Sequence, residues 1–434
     1  MTSLRASFKK VLENQLLTGS AVLFIGSIIA SFGNYLFHLL MGRMLGPVDY
    51  GVLSSLISLT YWLGAPTGAL GLVVVKYVSA LRGEKKNKQI GYFYFWLNRK
   101  LLVISVLGFF LLVLFSPLVV AFLHLESVLP VLLIMASSLI GVYTAVNSAV
   151  LRGFLRFGLV STLGIVSTFL KLGVAVLLVY WGGGVLGGVS AISIASLTSC
   201  LLTIFFVTHL FKKVRGKERI MDSREIIKYA VPVFFSTLAF ISLYTTDIVL
   251  ARHFLPAEAA GFYAALATLG KIIFFASSPV ITVMFPMISE HHANGKQYLG
   301  FLNLSFGLVI LGCLSITLIY FFFPELMIKT LFGDQYLLAS SYLFLFAVFL
   351  SFYTFSFLLV NFYLSVKKVK VVVLPILAGL AQIILICLFH QNLLQVVLAS
   401  IIVLGLLFIS LLVYFFLGYV KKDKAFTFRY RPCL

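Results

Sequence analysis

A chain of 434 residues that is 61% hydrophobic and only 11% charged, with a mean hydropathy of +1.10, is not a soluble globular protein, because soluble chains carry roughly 25% charged residues. The formal net charge of +20 does not signal nucleic acid here, because the charges fall between long apolar runs. Those runs last about twenty residues or more, helix length for a bilayer, and lack the alternation of an outer-membrane barrel.

In chain order, Leu4, Phe8, Leu12 and Leu16 recur every four residues among Arg5, Lys9 and Lys10, which predicts an amphipathic interfacial helix over 1–16 rather than a cleaved signal. Apolar spans follow at 18–45, 52–81, 101–123, 128–150, 158–181 and 185–210. The polar stretch 211–228 is the longest connection, and its Asp222-Ser-Arg-Glu225 resembles a capping box. Six more spans follow at 229–251, 260–288, 298–323, 337–364, 371–390 and 393–419, then a basic tail over 420–434. The expected fold is therefore an all-α polytopic membrane protein of about twelve helices, with a six-helix lobe over 17–210 and another over 229–419.

Orientation follows from the loop Lys and Arg residues. With the N-terminus inside, the inner segments hold 27 of the 33 basic residues, and the outer turns keep Arg43, Arg252 and Lys329. Both termini are thus expected in the cytoplasm. Three lysines are left over inside spans: Lys76, Lys171 and Lys271. A charge in hydrocarbon costs several kcal/mol unless it faces a wet or paired interior.

The two halves share a pattern. Arg43-Met-Leu-Gly46-Pro47-Val-Asp49-Tyr-Gly51 ends span one, and Arg252-His-Phe-Leu-Pro256-Ala-Glu258-Ala-Ala-Gly261 ends span seven. Pro follows Arg by four and an acid follows Pro by two in both copies. Both copies run from inside to outside, so the repeat is parallel, with a pseudo-two-fold axis along the membrane normal and a substrate site expected between the halves.

The first of these turns resembles that of polysaccharide transporters in the multidrug/oligosaccharidyl-lipid/polysaccharide flippase superfamily. Leu151-Arg-Gly-Phe-Leu-Arg-Phe157, Tyr229-Ala-Val-Pro232, Ala260-Gly-Phe-Tyr263, Phe285-Pro-Met-Ile-Ser289 and Leu331-Phe-Gly-Asp-Gln-Tyr336 resemble later family segments in the same order. The resemblance covers nearly the whole chain. It implies a plasma-membrane flippase that moves polyprenyl-diphosphate-linked oligosaccharide by alternating access, through a cavity lined mainly by spans one, two, seven and eight. Expected partners are that glycan lipid and membrane lipid, with glycan-assembly enzymes as candidates; nucleic acid is not one.

Each candidate residue has a functional and a structural reading. Lys171 shares a small, polar face with Gly164, Ser167 and Thr168, and Lys271 shares one with Ala264, Thr268 and Ser278. Either lysine can hold an anionic headgroup or satisfy nearby carbonyls. Lys76 has a less polar face and can snorkel along its stem to the inner interface. Ser27, Ser31, Asn34 and His38 form a stripe on span one that either packs helices or lines a polar cavity wall. Asp247 is the one acid within the spans. It is either a local polar contact, for instance with Tyr244, or part of an outer gate with Arg252 or Arg43.

No enzyme motif is visible. Gly182–Gly184 with Gly187 and Gly188 lacks the lysine and strand of a phosphate loop. The His291-His292 doublet and the four dispersed cysteines suggest no metal site, disulfide framework or cofactor. The outer acids are scattered, which argues against a glycosyltransferase or polymerase. A multidrug exporter of organic cations is the alternative within the superfamily; one embedded acid against three lysines argues against it.

Overall fold

The computed structural model describes residues 15–84, 86–211 and 223–427. The predicted interfacial helix falls almost wholly outside them, as do 212–222, with the Asp222 cap, and 428–434 of the tail. Among the described residues, ten helical stretches are long and apolar enough to cross a membrane. Two of these, Ala21–Gly83 and Phe157–Leu210, each hold two crossings, so the ten stretches give twelve.

The first double stretch turns at Gly46, whose φ of 75° is left-handed backbone that favours glycine. Pro47 follows at the first position of the next helix, where its missing N–H costs nothing. His38 Nδ1 lies 3.1 Å from the Tyr50 hydroxyl, twelve residues on. Twelve residues of straight helix would separate them by about 18 Å, so the chain has doubled back. We number these helices α1 (15–45) and α2 (47–83). The first lobe continues with α3 (Asn87–Phe122), α4 (Leu129–Gly153), α5 (Phe157–Leu178) and α6 (Gly184–Leu210). Gly182, at φ 85°, lies in the reversal between α5 and α6.

The second lobe comprises α7 (Ser223–Phe254), α8 (Ala257–Ala293), α9 (Leu299–Phe322), the short α10 (Pro324–Leu331), α11 (Leu343–Ser365), α12 (Val373–Leu388) and α13 (Leu393–Thr427). Within the first lobe, α1 and α2 pack on α4, α5 and α6; within the second, α8 packs on α9 and α11, and α7 on α12 and α13. The lobes meet chiefly where α1 and α2 touch α7 and α8. The protein thus has twelve membrane-crossing helices in two lobes of six, related by a parallel pseudo-two-fold repeat, with the short α10 as an additional helix of the second lobe.

Several ends differ from the sequence expectation. Helix α3 begins at Asn87 rather than 101, because Ile90, Phe93 and Tyr94 bury against Val74, Tyr77, Val78 and Val150. The Tyr94 hydroxyl also donates to Asn147 Oδ1 at 3.0 Å. Arg99 and Lys100 therefore sit exposed on a helix, not in a loop. Residues 334–342 form a 3-10 segment before α11, and α13 runs to Thr427, past the predicted end at 419.

In lipid, burying an apolar side chain gains little, so small residues that admit close packing hold helices together. A Cβ on Gly26 would meet Ser161 Cβ at 2.5 Å, and one on Gly33 would meet Thr168 Cγ2 at 2.8 Å. Both partners advance by seven residues together, so α1 and α5 run parallel in fixed register. One turn beyond Thr168, that register sets Lys171 against Asn34 and Phe37.

Candidate functional site

Lys171 of α5 donates to Asn34 Oδ1 of α1 at 2.5 Å, and its ammonium lies 4.4 Å from the centroid of the Phe37 ring. Asn34 in turn donates to the Ala30 carbonyl at 3.0 Å. Four residues along α1, His38 meets Tyr50 of α2, and the Tyr50 hydroxyl lies 2.9 Å from Thr268 Oγ1 of α8. A hydrogen-bonded chain therefore runs from the first lobe into the second. Ser31 is exposed on α1.

Lys271 stands one turn beyond Thr268, 5.0 Å from the Tyr244 ring. Tyr244 packs edge-on against Tyr61 of α2, at 5.8 Å, and Tyr353 of α11, at 5.4 Å. An ammonium near an aromatic face gains about 0.5–2 kcal/mol, which offsets part of its desolvation. Lys171 and Lys271, from opposite lobes, both lie within electrostatic range of His38, whose ring hydrogen-bonds Tyr50 at the lobe contact. Lys76 lies elsewhere, exposed toward the C-terminal end of α2 on a face with Leu72 and Ser79.

Asp247 is fully buried in the second lobe and accepts from the Tyr263 hydroxyl at 2.9 Å. Its other oxygen has no partner among the described residues. The contact expected with Arg252, Arg43 or Tyr244 is not formed. Five residues along a helix put Arg252 on another face from Asp247, and Tyr244 points to Lys271 instead.

The two arginines make a different arrangement. Arg43 donates to the carbonyls of Lys329 and Leu331, each at 3.2 Å, and to that of Thr330, at the end of α10. Arg252, only 7% exposed, donates to the carbonyls of Leu123 at 3.1 Å and His124 at 3.4 Å, just past α3. Each arginine thus caps a helix C-terminus in the opposite lobe, where orphan carbonyls and the helix dipole favour a cation. His253 reinforces the second contact, with Nδ1 2.8 Å from the Phe122 carbonyl and its ring stacked on Phe122 at 4.0 Å. The remaining repeat residues serve the turns. Pro47 and Pro256 start α2 and α8, and Asp49 and Glu258 lie in the first turns, where an acid complements the dipole.

The closing glycines meet. A Cβ on Gly51 would lie 3.0 Å from Gly261 Cα, and one on Gly261 would lie 1.9 Å from the Pro47 carbonyl oxygen. Tyr336 and Gln335 donate to the carbonyls of Gly42 and Arg43 at 3.0 and 3.1 Å beside this contact. At the other end of α2, a Cβ on Gly64, Gly68 or Gly71 would find open space. The lobes are therefore clasped at the end that carries Gly46. Removing one arginine, as Arg43→Ala or Arg252→Ala, loses charge-assisted hydrogen bonds worth about 2 kcal/mol, roughly a thirtyfold population shift. Spin labels at Glu126 and Glu325 should then report a longer inter-lobe distance; an unchanged distance in both variants would show that the caps do not hold the lobes.

No local pattern marks Tyr50, Tyr61 or Tyr353, whose partners lie on other helices. Thr268 was visible only as a neighbour of Lys271 on one helix face.

The fold has well-defined relatives. An inward-facing multidrug resistance MATE family transporter of the MOP superfamily is 13% identical, with a TM-score of 0.69 over 90% of this chain and 96% of that one. The lipid II flippase MurJ, in an inward closed conformation, is 18% identical, with a TM-score of 0.69 over 92% of this chain and 87% of that one. A MOP superfamily transporter from Pyrococcus furiosus is 15% identical, with a TM-score of 0.59 over 91% and 95% of the two chains. Curated protein sequences show no match to the chain. The family model described as polysaccharide biosynthesis protein matches residues 40–341, more than half of the chain, and the chain belongs to that family.

Proposed function

We propose that this protein is a flippase that carries polyprenyl-diphosphate-linked oligosaccharide across the cytoplasmic membrane by alternating access. The observation that carries this reading is the sign of the interior. Lys171 and Lys271 approach it from opposite lobes, while Asp247 is held by Tyr263 inside one lobe. Such an interior suits a diphosphate, the exposed Asn34 amide and the half-buried His38 suit sugar hydroxyls, and the polyprenyl tail can stay in lipid between the lobes. The likeness to a lipid II flippase supports the same substrate class.

In this reading the termini are cytoplasmic, the clasped end faces outward, and the loading state is open to the cytoplasm. The two lobes rock against each other. Helices α2 and α8 bend at Pro66 and Pro279, where the ring removes a backbone bond. Lys76 sits at the inner mouth. The protein performs no covalent chemistry, and enzymes that assemble or polymerise the glycan are its partners.

The test is reconstitution of the full chain in liposomes carrying a fluorescent polyprenyl-diphosphate oligosaccharide, with a membrane-impermeant glycosidase outside. Protein-dependent exposure of the second half of the glycan is the expected result. Movement of a cationic dye without movement of the glycan lipid would favour a multidrug exporter, whose relatives share the fold.

A further inference from the structure

The first lobe contains a groove of its own, about 370 Å³ in volume, between α4, α5 and α6. Lys171 lines it from α5, and Arg152 lines it from the last turn of α4. Among the described residues, no carboxylate lines it. Ser148, Ser167 and Ser199 contribute hydroxyls that have no hydrogen-bond partner among the described residues. Along α4 the groove extends from Gly141 to Arg152, about 16 Å.

Arg152 is the informative residue. A basic residue in the last turn of a helix ordinarily satisfies free carbonyls, as Arg43 and Arg252 do across the lobes. Arg152 makes no hydrogen bond or close ion pair among the described residues, and it is exposed. It belongs to the segment Leu151-Arg-Gly-Phe-Leu-Arg-Phe157, which the interior between the lobes leaves without a task. Lys171 has two faces: it bonds Asn34 on α1 and also forms part of the groove wall. It therefore joins the groove to the interior between the lobes.

We propose that this groove is a second anion site, which takes a phosphate or diphosphate group at Arg152 and passes it to Lys171 before it enters the space between the lobes. The direction of transfer rests on the transport reading above. Two cations and three free hydroxyl donors offer tetrahedral phosphate oxygens the contacts they accept, and no acid opposes them.

The test uses the full chain with its four cysteines replaced by alanine and a single Ser148→Cys. In phosphatidylcholine nanodiscs, an anionic methanethiosulfonate should modify that thiol about tenfold faster than a cationic one of similar size. Inorganic pyrophosphate should slow the modification. Arg152→Gln should remove both effects, and Arg152→Lys should keep them, which separates lost charge from misfolding. A second arm uses nanodiscs that contain a polyprenyl diphosphate. Protection by both probes marks a lipid-headgroup site, and protection by pyrophosphate alone marks a soluble-anion site; either supports the groove. Equal rates for the two reagents with no protection by either probe would overturn it. Glycan-lipid flipping without protection would keep the proposed function and remove this site; protection without flipping would do the reverse.

Discussion

Lys271→Ala should reduce glycan-lipid flipping by about 30–150-fold while the protein still inserts and folds, because a charge-assisted contact to a phosphate contributes about 2–3 kcal/mol. Its ammonium forms no close ion pair with Asp247, although the two charges lie within electrostatic range, and it sits 5.0 Å from the Tyr244 ring. Lys171→Ala should have a comparable effect on flipping but a larger one on packing. It leaves Asn34 Oδ1 without its 2.5 Å donor, and Phe37 is part of the buried core. Lys271→Arg should keep part of the activity, since charge survives though shape does not. The measurement is complementation of a flippase-deficient strain, with membrane expression checked in parallel. Full activity in both alanine variants would remove the cationic interior as the substrate site.

Gly261→Ala should prevent the clasped state from closing. The new Cβ would stand 1.9 Å from the Pro47 oxygen and 2.3 Å from its carbonyl carbon, and both are backbone atoms that cannot rotate away. Forcing a methyl group into such a contact costs about 1–3 kcal/mol or more, enough to lower the closed population about tenfold or beyond. Gly51→Ala should act in the same direction but less, since its Cβ would lie 3.0 Å from Gly261. Gly64→Ala and Gly68→Ala serve as controls. Each faces open space, and alanine in a helix is favoured over glycine by about 1 kcal/mol. Inter-lobe distances from labels at Glu126 and Glu325 should lengthen in Gly261→Ala and not in the controls. If Gly261→Ala retains wild-type distances and flipping, the glycine pair is not the point of closure.

The lysines were legible in the sequence because hydrocarbon makes any embedded charge conspicuous. Their surroundings were not. Lys171 meets a residue 137 positions away, and Tyr50 meets one 218 positions away. No periodicity within one helix carries that information. The arginines show the same limit more sharply. Their shared spacing marked a repeat, and for Asp247 a local polar contact stood beside an outer-gate contact with these arginines. Each instead reaches a helix end in the other lobe, and Asp247 is taken by Tyr263 from the next helix.

Span number and the repeat follow from the chain alone, because each depends on local quantities: the length of an apolar run and the spacing of Arg, Pro and acid. Bilayer thickness and charge transfer act on segments one at a time, so they can be read one segment at a time. Which polar groups face one interior, and which end of the molecule is closed, are properties of two packed lobes. They depend on the left-handed turn at Gly46, the register that Gly26 and Gly33 impose on α5, and the backbone contact between Gly51 and Gly261. Close packing couples these distant positions to fractions of an ångström, and only the folded pair of lobes decides them.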